Sequence, residues 1–297
     1  MIIAIIILAT LLALLAAVGF YFAGYAMGIR RQTLEDARAW QAEHYDLSWY
    51  DALEKRDYTV TSYDGYELHV QLLANPAPAD RFVLISHGYT DNRFGALKYA
   101  KIYLDMGYSV IVYDLRGHGL NAPTFCTYSV RESRDLDALI RDSRRRYPEA
   151  RVFGLHGESL GAATSVAVLK YRPAVDFVVA DCGFAEIAPV LRGGLKAMKL
   201  PGWIEGVAGV CAKLRYGYGF YQMRPIDSLA ESETPVLFIH GAADTFITPD
   251  HSQRMRDAVR GYSALRLIDG AGHAASVLTA PETYAGYVKG FLEKAEG

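Results

Sequence analysis

The chain predicts an α/β fold with a mainly parallel sheet covered by helices on both faces, a small helical insertion, and one transmembrane helix in front. Three observations carry that reading. From about residue 58 onward, apolar runs of strand length alternate with helical stretches, a rhythm that parallel strands joined by crossover helices produce. The first 29 residues form a separate apolar block. The third observation is Gly157-Glu158-Ser159-Leu160-Gly161, a G-x-S-x-G pattern between an apolar strand and a helix.

In chain order, the first element is residues 1–29. No charged side chain precedes Arg30, and residues 2–28 are almost entirely Ile, Leu, Ala, Val, Gly and aromatics. A spanning helix needs about 20 apolar residues, whereas a secretory core of about 7–15 follows a cationic start. The run is too long for the latter and lacks its cationic start, so a membrane anchor is expected, with a cleaved signal as the competing reading. Tyr21, Phe22 and Tyr25 lie near the end marked by Arg30 and Arg31, as an interfacial aromatic belt would. Arg30, Arg31 and Arg38 favour a cytoplasm-facing domain under the positive-inside rule. Residues 30–57 carry Trp40, Tyr45, Trp49 and Tyr50 among polar residues and read as an amphipathic helical linker near the membrane.

Tyr58–Ser62 and Glu67–Leu72 flank Asp64-Gly65, which predicts an opening hairpin. A strand follows at Arg81–Ser86, then a helix near Leu97–Met106, a strand at Ser109–Tyr113, a helix near Ser133–Arg146 and a strand at Arg151–His156. Further strands are expected at Phe177–Ala180, Pro235–His240 and Leu265–Ile268. Between 184 and about 230 the rhythm breaks into Leu191–Leu195, Pro201-Gly202-Trp203 and Tyr216–Tyr221. This stretch reads as a helical, aromatic insertion over the site, suited to excluding water and holding an apolar group.

The strand, turn and helix around Ser159 make it the candidate nucleophile. A side chain on so tight a turn sits on strained backbone, and Gly157 and Gly161 remove Cβ clashes beside it. Leu160 opens the following helix, where an unpaired N–H and the helix dipole favour a developing oxyanion. A second donor is expected after the Arg81–Ser86 strand, at the Tyr89 N–H, with Gly88 allowing close approach and His87 bracing the loop. A serine also needs a base and an orienting acid, downstream in the order Ser, Asp, His. Asp244, after the Pro235–His240 strand, and His273, in Asp269-Gly270-Ala271-Gly272-His273, fill those places. Asp181 is the rival acid. Asp250 and Asp269 fit local turn or cap roles, and His87, His118, His156 and His240 fit structural ones.

Composition excludes several classes. The net charge of −2 and the absence of a basic stripe argue against nucleic acid. The arginines of Arg141–Arg146 suit the solvated face of a helix. There is no C-x-x-C pair, H-E-x-x-H, P-loop or G-x-G-x-x-G, so neither metal nor organic cofactor is implied. Cys126, Cys182 and Cys211 are an odd set, which fits a reducing compartment.

The His87-Gly88 loop, Tyr113-Asp114-Leu115-Arg116-Gly117-His118-Gly119, the Gly157–Gly161 elbow and the Asp244 and His273 loops stand in an order that resembles the α/β-hydrolase superfamily. The resemblance is to its serine-nucleophile branch of esterases, monoacylglycerol lipases and serine aminopeptidase-like hydrolases, and it covers roughly residues 58–295. It implies an α/β-hydrolase domain over 58–297 with a cap at about 184–230. It also implies a Ser159, Asp244, His273 triad with oxyanion donors at Tyr89 and Leu160, and a structural role for the Asp114–Gly119 turn. The expected function is hydrolysis of carboxylic esters with an apolar acyl part, on small-molecule or lipid-like substrates. Aminopeptidase-like amide cleavage is the alternative, with Glu158, Asp181 or Glu186 as amine ligands. A non-catalytic membrane-tethered binding domain is the reading from another class.

Overall fold

Eight strands form: β1 (Lys55–Thr61), β2 (Glu67–Leu73), β3 (Arg81–Ser86), β4 (Ser109–Tyr113), β5 (Val152–Glu158), β6 (Phe177–Asp181), β7 (Val236–Gly241) and β8 (Ser263–Ile268). In the computed structural model, which describes residues 1–295, they make one sheet of order β1-β2-β4-β3-β5-β6-β7-β8. β1 and β2 pair antiparallel and β2 is antiparallel to β4; all later pairings are parallel. The central strands β4, β6 and β7 are buried along their whole length, as a sheet covered on both faces requires. β1 lies at an edge and carries Lys55, Arg56 and Asp57, charges that discourage edge-to-edge pairing.

The register decides where chemistry can be built. Ser86 pairs with Gly157, Glu158 with Asp181, and Gly241 with Ile268. The C-terminal ends of β3, β5, β7 and β8 are therefore level, and the loops bearing Tyr89, Ser159, Asp244 and His273 leave the same edge of the sheet. Ligand sites of open α/β sheets sit outside that edge.

The helices are α1 (Ile2–Met27), α2 (Leu34–His44), α3 (Ser48–Ala52), α4 (Leu97–Asp105), α5 (Val130–Arg146), α6 (Leu160–Ala167), α7 (Ile187–Ala197), α8 (Trp203–Tyr216), α9 (Asp250–Ala258), α10 (Ser276–Thr279) and α11 (Pro281–Ala295). One core, with Leu136, Ala162, Val166, Phe184 and Ala208, packs α5, α6 and the insertion on one face of the sheet. The other, with Tyr99, Tyr103, Val288 and Phe291, packs α4 and α11 on the opposite face. The insertion between β6 and β7 consists of α7, α8 and two 3-10 turns.

Two N-terminal features depart from the sequence reading. Residues 30–57 are helical as far as α2 and α3, but β1 already begins at Lys55. This segment is docked: Gln32 N donates to Thr90 O at 2.9 Å, Asn92 Nδ2 donates to Thr33 O at 3.1 Å, and Ala37, Gln41 and Tyr50 are buried. The second feature is α1, a 26-residue helix long and apolar enough to cross a membrane, with mean hydropathy 3.0 over its most apolar stretch. Its far half does not stand clear of the fold. Gly19, Ala23 and Met27, spaced one helical turn apart, are buried, and α1 packs along α8.

Candidate active site

Ser159 occupies a turn that only tight surroundings hold. Its backbone adopts φ 51° and ψ −110°, pinned by Ser159 N donating to Asp181 O at 2.8 Å and Ala163 N donating to Ser159 O at 3.0 Å. The flanking glycines are forced by contact. A Cβ on Gly157 would lie 2.3 Å from the Gly161 backbone, and one on Gly161 would lie 2.1 Å from Ser86 O.

The structure brings Ser159, His273 and Asp244 into one chain of contacts. Ser159 Oγ lies 3.0 Å from His273 Nε2, and His273 Nδ1 lies 2.7 Å from Asp244 Oδ2. Asp244 is fully enclosed. Its Oδ1 accepts from Phe246 N at 2.9 Å and Ile247 N at 3.0 Å, and His240 Nε2 lies 3.3 Å from Oδ2. Burial works against the charge, but the hydrogen bonds from His240 and His273 outweigh it and hold this carboxyl well below the ordinary carboxylate range. Such a chain can move a proton from the hydroxyl to the imidazole while the carboxylate steadies the cation. Phe246 stands edge-on to His273, with centroids 5.1 Å apart.

Tyr89 and Leu160 line the same cavity as Ser159. Leu160 is the first residue of α6, where a helix leaves backbone donors unpaired. The loop bearing Tyr89 is braced by His87, whose Nε2 accepts from Leu115 N at 2.9 Å and whose Nδ1 lies 2.7 Å from Gly88 O. Burial lowers the pKa of His87. Burial, with His87 as a like-charged neighbour, lowers that of His118 to about 3, so both are neutral braces at pH 7. The Asp114 turn is structural as well: Asp114 Oδ2 accepts from Arg93 Nη2 at 2.7 Å and from Leu120 N at 2.9 Å.

The rival acids lie elsewhere. Asp181 is buried beneath the elbow and accepts from Tyr99 OH at 3.0 Å, not from His273. Glu158, next to the nucleophile, accepts from Tyr99 OH at 2.6 Å and pairs with buried Lys98. One lysine between two buried carboxylates leaves a charge imbalance. Burial first, then the Glu158 carboxylate, raise Asp181 to about 6, and Glu158 keeps Lys98 above the usual range despite its burial. Glu186 pairs with Arg224 and Arg254. Asp250 bonds locally to Thr248. His156 lies between Tyr103 OH at 3.0 Å and Tyr284 OH at 3.2 Å, and burial pushes it down to about 3.

Above Ser159 is a cavity of about 460 Å³, lined by Phe184, Ile187, Val190, Leu191, Leu195, Ile204 and Ala208 from the insertion, and by Phe22, Tyr25 and Ala26 from α1. Sequence reasoning missed two parts of this site. His240, read as one structural histidine among several, sits directly against Asp244. Phe22 and Tyr25, read as an interfacial belt, line the cavity. A hydropathy pattern carries no signal for the second, because a lipid-facing and a pocket-facing phenylalanine look alike in it. Among the described residues no group of His, Cys, Asp or Glu is arranged to hold a metal, and all three cysteines are buried and unpaired.

A mainly parallel sheet with a strained serine elbow at its C-terminal edge, beside an acid and a histidine from later strand ends, defines an α/β hydrolase. Residues 77–226 match the family described as serine aminopeptidase, S33, and the chain belongs to it. Ser159 falls inside the matched stretch; Asp244 and His273 lie beyond it. The chain is 31% identical over 283 residues to the uncharacterized protein YqkD of Bacillus subtilis (strain 168), covering 93% of this chain and 92% of that one. Its fold is similar to that of the Pyrococcus furiosus esterase Pf2001, with TM-score 0.72, 22% identity, and coverage of 91% of this chain and 98% of that chain. It is also similar to a thermophilic esterase from Thermogutta terrifontis, with TM-score 0.57, 20% identity, and coverage of 82% and 100%.

Proposed function

We propose that this chain is a membrane-anchored serine hydrolase that cleaves carboxylic esters of apolar acyl groups, with its catalytic domain facing the cytoplasm. The observation that carries the reading is the Ser159–His273–Asp244 contact chain at the floor of a cavity walled mainly by apolar side chains, with Arg30 and Glu205 also in its lining. Ser159 Oγ attacks the ester carbonyl as His273 Nε2 takes its proton. The Leu160 and Tyr89 N–H groups receive the oxyanion. His273 then returns the proton to the leaving alkoxide, and water, activated by the same imidazole, releases the acid from the acyl-enzyme. Asp244 holds the Nδ1–H tautomer and balances the imidazolium.

Amide cleavage in the manner of an aminopeptidase is the competing reading, and it needs a free carboxylate to hold the substrate's amine. Glu158 is matched by Lys98, Asp181 lies buried behind Tyr99, and Glu186 is held by two arginines. The carboxylate that does line the cavity, Glu205, is paired through one oxygen with Arg192 and accepts there from Tyr221 OH at 3.0 Å, so its charge is already matched. The two structural neighbours described above are named as esterases, which agrees with the ester reading. The membrane placement rests on the length and apolarity of α1, and the orientation on Arg30, Arg31 and Arg38 at its C-terminal flank. The test is parallel turnover of p-nitrophenyl acyl esters of increasing chain length and of aminoacyl-anilides by the full-length protein in detergent. Ester turnover that rises with chain length is expected; anilide turnover exceeding it would replace the reading with the peptidase.

A further inference from the structure

The part of α1 free on every side is too short to cross a bilayer. Residues 2–15 are exposed all round, and at 1.5 Å per residue they span about 21 Å against about 30 Å of hydrocarbon. The missing length must come from about the next six residues, which begin the packed half of the helix. A Cβ on Gly19 would sit 2.5 Å from Cys211 Sγ and 2.8 Å from Val207 Cγ1, while one on Gly24 would lie 3.5 Å from Arg215. Increasing numbers along α1 meet increasing numbers along α8, so the two helices run parallel. Small residues on the contact side, Gly19 and Ala23, let them approach closely, as helices do within lipid.

Whatever depth residues 16–21 reach, the adjoining stretch of α8 reaches with them, and its surface suits lipid. Trp203, Val210 and Leu214, on one helical stripe, are 56%, 62% and 73% exposed. The one acidic side chain of α8, Glu205, is turned inward and paired with Arg192. Within α8 basic residues come only in the last turn, Lys213 and Arg215, the latter level with Gly24 and so just past the calculated end of the hydrocarbon; the exposed Lys196 and Lys199 just before α8 have stems long enough to carry their amines away from the apolar stripe toward water.

The same geometry makes α1 part of the catalytic cavity. Phe22, Tyr25 and Ala26 line it, and they are fastened there by Tyr128 OH donating to Ala26 O and Tyr89 OH donating to Gly28 O, both at 2.5 Å. We propose that α1 and α8 enter the membrane as a packed pair, and that the last two turns of α1 wall the acyl cavity, so that an ester's acyl chain reaches Ser159 from the lipid leaflet. This rests on the membrane-anchored ester hydrolase proposed above. It makes the anchor a specificity element, where a tether would be interchangeable.

The test uses full-length protein in phosphatidylcholine nanodiscs and a long-chain alkyl fluorophosphonate bearing a terminal diazirine. Attached at Ser159 and then irradiated, the probe is expected to cross-link the peptide containing Phe22 and Ala26. Ala26→Trp should lower the labelling rate by the long probe, relative to ethyl fluorophosphonate, by about tenfold or more, since several methylenes lose their place. Leu12→Ala, on the free half of α1, should leave that ratio within about twofold. With Trp40 and Trp49 replaced by Phe, the fluorescence of Trp203 should be quenched by phosphatidylcholine brominated along its acyl chains. Labelling without cross-links to α1, or with an unchanged ratio in Ala26→Trp, would overturn the wall and leave the hydrolase standing. Unquenched Trp203 would overturn the entry of α8 into lipid. Absence of labelling at Ser159 would overturn the hydrolase reading and this inference with it.

Discussion

Replacing Ser159 by Gly should make the protein more stable than replacing it by Ala, the reverse of what glycine does at most positions. Ser159 is held at φ 51°, ψ −110°, a region that costs a residue with a Cβ of order 1–3 kcal/mol. The conformation is fixed by Ser159 N on Asp181 O and Ala163 N on Ser159 O, so an alanine retains the strain. Glycine removes it and adds roughly 0.5–1 kcal/mol of unfolded-chain entropy. Both variants lose the hydroxyl contact with His273, which cancels in the comparison. The balance is about 1 kcal/mol in favour of Ser159→Gly. For a chain of 297 residues, the usual unfolding entropy per residue turns that into about 2 °C in Tm. Thermal unfolding of the two full-length variants, followed by circular dichroism in the same detergent, measures it. If Ser159→Gly melts at or below Ser159→Ala, the elbow is not strained and the explanation for its geometry is wrong.

Other outcomes follow from the same geometry. Gly161→Ala would set a Cβ 2.1 Å from Ser86 O and 2.6 Å from His87 O. Backbone cannot yield there, so a loss of about 1–3 kcal/mol in denaturant unfolding and at least about a hundredfold in ester turnover is expected. Asp244→Asn should still fold, with a lower Tm because the carboxylate favoured by His240 and His273 is lost, and should lower kcat by about a thousandfold or more through the wrong imidazole tautomer; steady-state turnover below the variant's own Tm, with circular dichroism confirming the fold, checks both halves. Asp181, raised to about 6, should make the protein less stable as pH rises. Between its ordinary value and about 6 the folded state keeps a proton that the unfolded state has released, so stability falls across that window by up to about 3 kcal/mol and stays lower above it. Denaturant midpoints from pH 4 to 7 should show this fall in the wild type and a flatter profile in Asp181→Asn; parallel profiles would remove the effect.

Much of the sheet was legible because buried parallel strands are written as short apolar runs. The runs at 81–86, 109–113 and 235–240 hardly differ from β3, β4 and β7. The serine elbow was legible for a different reason: glycines at 157 and 161 are forced by atoms about 2 Å from where a Cβ would stand. Asp244 and Asp181 both follow apolar strands, and only the fold distinguishes them, since the side chain that faces His273 depends on loop shape beyond β7. Least legible was the role of the N-terminal segment. Residues 30–57 carry the aromatic and polar mixture of a surface helix, yet Ala37, Gln41 and Tyr50 are buried against the domain. Phe22 and Tyr25 belong to an apolar run whose own pattern says nothing of a partner, and that partner, α8, lies nearly two hundred residues away in sequence.

Whether Ser159 is a nucleophile is read by intact-protein and peptide mass spectrometry of the full-length chain and its Ser159→Ala variant after exposure to a fluorophosphonate. A serine nucleophile predicts one adduct on the peptide containing Ser159 in the wild type and none in the variant, with both proteins melting as folded species. An adduct that survives in Ser159→Ala would move the nucleophile elsewhere. A folded wild type that takes no adduct would contradict a serine hydrolase altogether.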